Sequence, residues 1–140
     1  MLLWRGKSLV LLVVDDQAGI RYLLDMVAKE EGYRVHTAQN GLEAVETAKS
    51  VRPDLIFMDV RMPVMDGLEA LEKIRAILPE VAVVMMTAYG SQETSRQAYQ
   101  KGALFCIDKP FDISKVKFFL QEFNWKRPDQ KVKLDNVFAL

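Results

Sequence analysis

Leu9 to Val14 is an unbroken apolar run that stops abruptly at Asp15-Asp16. Continuous apolar, Val-rich stretches of this length are what a strand covered on both faces requires, so Ser8–Val14 is predicted as a first strand. Ile20, Leu23, Leu24, Val27 and Ala28 then recur at helical spacing, and Gly32 supplies a left-handed stop. Tyr33–Ala38 reads as a short second strand. Asn40-Gly41-Leu42-Glu43 could turn a hairpin, but Asn followed three residues later by Glu also resembles a capping box, and the Leu42, Val45, Ala48 stripe favours a helix. After Pro53, Leu55–Met58 makes a third strand leading into Asp59.

The second half repeats this rhythm. Asp66-Gly67 opens a helix with Leu68, Leu71, Ile74 and Leu78 as its buried stripe, and Pro79 stops it. Val81–Met86 is a fourth buried strand. The helix Ser91–Lys101 is the most polar, anchored by Ala98 and Tyr99 and ended by Gly102. Leu104–Asp108 forms a fifth strand running into Lys109-Pro110-Phe111, and Asp112 caps a last helix with Ile113, Val116, Leu120 and Phe123 on one face. Strands alternating with helices predict an α/β fold, a doubly wound (βα)5 five-stranded parallel sheet with helices on both faces.

Composition narrows the function classes. The 140 residues are half hydrophobic and 27% charged, which suits one folded domain with a single core. Lys plus Arg and Asp plus Glu number 19 each, so the excess positive charge of a general nucleic-acid binder is lacking. The longest apolar run falls far short of the roughly 20 residues of a membrane helix, and no small-residue cleavage site follows it. A single cysteine, Cys106, and a single histidine, His36, exclude an internal disulfide and a histidine metal cage. A cytoplasmic protein that binds neither nucleic acid nor membrane is expected.

The chemistry lies at the strand ends. Asp15 and Asp16, Asp59, Thr87 and Lys109 each stand just past a predicted strand, and a parallel sheet gathers such ends on one edge. Singly, each has a plain structural reading as a turn residue, a cap or a solvated charge. Together they make an acidic pocket. Two carboxylates 4 Å apart repel by about 4 kcal/mol at an effective dielectric near 20, which calls for a cation or for protonation. Lys109 supplies one positive charge. All-oxygen ligands point to Mg²⁺, or Mn²⁺ in its place, for the rest. Asp59 beside a cation can attack phosphorus as a carboxylate nucleophile, with Lys109 and the Thr87 hydroxyl on the phosphoryl oxygens.

The segments VVDDQAGIR (Val13 to Arg21), PDLIFMDVRMPVMDG (Pro53 to Gly67), MMTAYG (Met85 to Gly90) and GALFCIDKPF (Gly102 to Phe111) resemble the receiver domain of two-component response regulators. The resemblance runs from about Lys7 to Phe123, and DDQAGIR with EEGYRV and DKPFDI is most similar to the stand-alone regulators of sporulation phosphorelays. It implies a flavodoxin-like receiver fold of strand order 2-1-3-4-5 over residues 1–124. A C-terminal extension, 125–140, would follow, with no output domain. It also implies that Asp59 is the phosphoacceptor and that Asp16, Asp59 and the backbone carbonyl of Arg61 hold Mg²⁺ directly, with Asp15 helping through water. Thr87 and Lys109 would hold the phosphoryl group, across a cis Lys109-Pro110 bond. Arg61 and Tyr89 would set how fast water attacks the acyl phosphate. The donor would be a sensor histidine kinase or a histidine phosphotransfer protein docking on Gln17, Ile20, Leu23, Pro110 and Phe111, of which Ile20 and Leu23 could equally be core. His36, by contrast, is expected on the surface.

Two features depart from the family pattern. Cys106 occupies the position of a switch aromatic, which puts an aromatic-rotamer switch in doubt. The tail, Asn124 to Leu140, extends beyond the usual end, with Pro128 breaking it and Val132, Leu134, Val137, Phe138 and Leu140 apolar. Phe118, Phe119, Phe123 and Trp125 are more aromatics than one helix stripe needs and would either receive that tail or cover a dimer face, so a monomer or a weak homodimer is expected. Two rivals remain. An aspartyl-phosphate phosphohydrolase acting on a small phosphate ester would place its nucleophile in a DxD after the first strand, and a flavin carrier would need a phosphate-binding loop there. The chain has Asp15-Asp16-Gln17 instead. A signalling domain without turnover of a diffusible substrate is therefore expected.

Overall fold

Three apolar runs fill the middle of a five-stranded parallel sheet, and the two more polar ones take its edges. The structure, a computed structural model, describes residues 8–88 and 90–126 and, in the last helix, side chains as far as residue 124. The strands are β1 (Val10–Val14), β2 (Arg34–Ala38), β3 (Leu55–Asp59), β4 (Ala82–Thr87) and β5 (Phe105–Asp108), in the order β2-β1-β3-β4-β5. β3 and β4 are buried along their whole length, whereas β2 and β5 alternate toward solvent, as edge strands should. The helices are α1 (Ala18–Glu30), α2 (Gly41–Val51), α3 (Gly67–Ile77), α4 (Gln92–Gln100) and α5 (Ile113–Lys126). The doubly wound fold expected from the sequence is the one observed.

Alternate strand residues feed two cores. Leu11, Val13, Leu55, Phe57, Val84 and Met86 pack under α1 and α5. Phe119 sits in that layer, with ring centroids 6.0 Å from Phe57, 5.7 Å from Phe105 and 5.8 Å from Phe123. Leu12, Val14, Ile56, Met58, Val83 and Met85 face α2, α3 and α4. Phe118, by contrast, is exposed. The side chain of Trp125 and the apolar tail lie outside the described residues, as does Tyr89. α5 continues to Lys126.

Local chemistry explains most element ends. Asn40 caps α2 by accepting the Glu43 N–H at 2.8 Å, while the Glu43 carboxylate reaches back to the Gln39 N–H at 2.6 Å, so the capping reading holds and the hairpin does not. Asp66 caps α3 by accepting the Glu69 N–H at 2.9 Å. Gly32 and Gly102 take φ of +90° and +103°, a region that favours glycine.

Three expectations need correction. Leu42 is 48% exposed: α2 turns Gly41, Ala44, Val45 and Ala48 inward instead, because only a residue without a β-carbon fits where Gly41 meets the Met65 carbonyl. Tyr99 is 50% exposed, so Ala98 is the sole buried residue of α4. His36 is half-buried on β2 rather than a plain surface residue. Arg75 of α3 has a role the sequence hid. Its guanidinium donates to the carbonyls of Pro79, Val81 and Gly102, tying α3 to the turn between α4 and β5, beside a Lys101–Glu72 ion pair of 2.7 Å.

Candidate functional site

The strand order places the carboxyl ends of β1, β3, β4 and β5 side by side, and the polar residues at those ends converge as expected. Carboxylate oxygens of Asp15, Asp16 and Asp59 all lie within 4.8 Å of one another. Asp15 is fully buried, Asp59 is 6% exposed and Asp16 is exposed, so the cluster is a pocket with one open side. Lys109 enters from the end of β5. Its Nζ is 2.7 Å from Asp15 Oδ2 and 3.6 Å from Asp59 Oδ2. Thr87 is buried at the end of β4 and its carbonyl accepts the Lys109 N–H at 2.8 Å, across from the cis Lys109-Pro110 bond.

The backbone fixes these side chains. Asp15 Oδ1 accepts the Gln17 N–H at 2.9 Å, and Arg21 Nη1 donates to the Asp15 carbonyl at 2.8 Å, so the turn into α1 is tied to its acid. The Val60 N–H bonds the Met86 carbonyl, and the Gly67 N–H returns to the Val60 carbonyl at 2.7 Å, folding the loop after Asp59 back onto its own strand. A β-carbon on Gly67 would overlap the Asp59 carbonyl oxygen, which is backbone and cannot step aside. Gly67→Ala is therefore expected to destabilise the fold by about 3 kcal/mol, in the range of an overpacked core, measured by urea unfolding.

Electrostatics leave the pocket short of positive charge. Burial, reinforced by Asp15 and then opposed in part by Lys109, pushes the Asp59 carboxyl up to about 6. One lysine faces three acids, and its closest contact is with Asp15. Asp15, Asp16 and Asp59 together offer an all-oxygen donor set with one exposed member, which suits a divalent cation still holding water. Arg61, two residues beyond Asp59, is exposed on the loop.

The remaining candidates are distributed unevenly. Gln17 and Pro110 are exposed, while Ile20, Leu23 and Phe111 are half-buried against the α1/α5 core, so each of the three offers part of its surface to both core and solvent. Cys106 is half-buried in β5, and burial raises its thiol. Its backbone N–H donates to the Tyr99 hydroxyl at 3.2 Å, so an aromatic does lie beside that position, supplied by α4. Sequence reasoning missed Gly67 as a spacer, for which the Asp-Gly pair at 66–67 was the available signal. It also missed the backbone at Val64, for which there was none.

A model of the response regulator receiver domain matches residues 11–120. Sporulation initiation phosphotransferase F of Bacillus subtilis (strain 168) is 40% identical over 113 residues, 81% of this chain and 91% of that protein. Against some transcriptional regulators the chain spans only 24–26% of their length. Among solved structures, chemotaxis protein CheY4 of Vibrio cholerae matches with a TM-score of 0.77 and 32% identity, over 82% of this chain and 98% of that one. The CheX-CheY-BeF3-Mg complex of Borrelia burgdorferi matches with a TM-score of 0.75 and 32% identity, over 79% of this chain and 85% of the other.

Proposed function

The chain belongs to the response regulator receiver family, and on that premise we propose that it takes a phosphoryl group from a phosphohistidine of a partner protein onto Asp59. The observation that carries this reading is the placing of Asp59 beside two further carboxylates and within 3.6 Å of the Lys109 ammonium. An ionised Asp59 oxygen attacks phosphorus, an O–P bond forms, the P–N bond to the imidazole breaks, and the imidazole leaves with its electron pair. Lys109 neutralises a phosphoryl oxygen and the Thr87 hydroxyl donates to another. Asp16 and Asp59, with the Arg61 carbonyl, would hold Mg²⁺, whose charge when bound offsets that of the acids and the phosphoryl group. Asp15, committed to Lys109, acts from behind them.

A sensor histidine kinase or a histidine phosphotransfer protein is the donor this chemistry requires. The sporulation relative carries phosphotransferase in its name, and the Borrelia CheY is seen with a protein partner and Mg²⁺. Gln17, Ile20, Leu23, Pro110 and Phe111 are the proposed contacts, and Arg61, Tyr89 and Cys106 the proposed modulators. Incubation with acetyl phosphate tests the reading. One phosphoryl group per chain should appear by intact mass with Mg²⁺ and none with EDTA. Steady release of phosphate from a phosphate ester would favour a phosphohydrolase instead.

The cation has its own readout. Mg²⁺ at ten times its dissociation constant should stabilise the fold by about 1.4 kcal/mol, raising Tm by about 5 °C. Asp16→Ala, at an exposed position, should leave the fold intact and abolish that rise.

A further inference from the structure

We infer that Val64 is a contact residue for the histidine-bearing partner, held outward by a strained turn on the side of the pocket opposite α1. This rests on the phosphotransfer reading above. Val64 lies on the loop between Asp59 and α3. It has φ +71°, and the Met65 N–H closes the three-residue turn around it onto the Pro63 carbonyl at 2.8 Å. A three-residue turn with positive central φ is the rare, strained hand, and for a β-branched residue positive φ is an outlier. The loop enforces the geometry: the Met65 carbonyl is bonded to the Gly41 N–H at 2.9 Å, and the Gly67 N–H to the Val60 carbonyl.

Folding alone would put glycine at this turn. Valine adds strain and returns no burial, for it is 76% exposed, above Tyr22 at 69% among the exposed large hydrophobics of the described residues. Strain kept beside a reactive group points to use.

Position says what the use is. Met62 and Met65, on either side, root the loop in the α2/α3/α4 core, whereas Ile20, Leu23 and Phe111 pack against the α1/α5 core. Asp59 is 6% exposed at the edge between those two layers. A protein that delivers an imidazole to it must cover the edge and so meet both rims. Val64 is the apolar point on the second one.

Val64→Gly accepts the turn without strain, Val64→Asn removes the branch at the β-carbon, and both lack the apolar group, while Val64→Ile keeps the branch and the apolar group. Each is compared with the wild-type chain for labelling by acetyl phosphate, for Tm, and for phosphotransfer from whichever sensor kinase or phosphotransfer protein of the same organism labels the wild type fastest. The expected result is unchanged acetyl phosphate labelling in all three and a Tm raised by about 2–4 °C in Val64→Gly. Transfer from the protein donor should fall about fivefold through KM in Val64→Gly and Val64→Asn, with Val64→Ile within twofold of wild type. Equal transfer by all four chains would overturn the inference, as would a chain labelled by acetyl phosphate but by no protein donor. A wild-type chain that acetyl phosphate fails to label would remove the phosphotransfer reading beneath it.

Discussion

Asp59→Asn takes up no phosphoryl group from acetyl phosphate, and in EDTA at neutral pH it is more stable than the wild-type chain. The first result follows from the loss of the nucleophile, since a neutral amide oxygen does not attack phosphorus. The second follows from the pocket's charge. Burial and the neighbouring acids hold Asp59 at about 6, against 3.8 for an ordinary aspartate. A carboxyl raised on folding binds its proton more tightly in the native state, so its contribution to stability is present below about 4 and is lost as pH climbs through 6. A proton held that much more tightly in the folded chain is worth roughly 2–3 kcal/mol. Stability of the two chains by chemical unfolding should therefore agree near pH 4 and separate by about that much at pH 7.5, in favour of the variant. Parallel curves across this range would mean that the carboxyl is not raised. Equal labelling of the two chains would move the phosphoacceptor elsewhere.

Lys109→Met should be the most damaging single change at the site. Asp15 is fully buried and its Oδ2 lies 2.7 Å from the lysine, so the substitution strands its carboxyl group in the interior without a partner cation. Breaking a buried pair from one side costs about 3–5 kcal/mol. Methionine fills a similar volume, so the loss is one of charge and not of packing. Labelling by acetyl phosphate should also slow by about a hundredfold, the scale of removing one donor from an oxyanion site. The two effects can be separated. Asp15→Asn combined with Lys109→Met should recover part of the stability, while labelling stays slow. The fully buried Asp15 then no longer carries a charge, and only Asp59, whose contact with the lysine is the longer one, loses its cation. Recovery of both would make Lys109 a structural residue with no part in the transfer.

Much of this was written plainly in the chain. β1, β3 and β4 were readable because a strand buried on both faces needs an unbroken apolar run, and the reactive residues were readable because each follows such a run. Strand starts were less so. The Tyr33 backbone N–H bonds back to the Ala28 carbonyl at the end of α1, which delays β2 by a residue. Helix phase failed where small residues decide it. Gly41 and Ala44 carry little hydrophobic signal, yet close approach to the Met65 carbonyl turned that face inward and left Leu42 outside. Tyr99 looked like an anchor by composition and instead lies over the edge strand, with its hydroxyl on a backbone donor of β5. Val64 was invisible, because positive φ is imposed there by hydrogen bonds at both ends of its loop and not by the residue itself.

The clamp made by Arg75 divides α4 unequally. The end of that helix is fastened to α3 by the guanidinium bond to the Gly102 carbonyl and by the Lys101–Glu72 ion pair, whereas its first turn, which follows the β4 end of the pocket, has no buried side chain. Free energy of local opening is set by such contacts. The helix thus has a fixed heel and a lightly held toe, and the toe is the end that follows Thr87 in the chain.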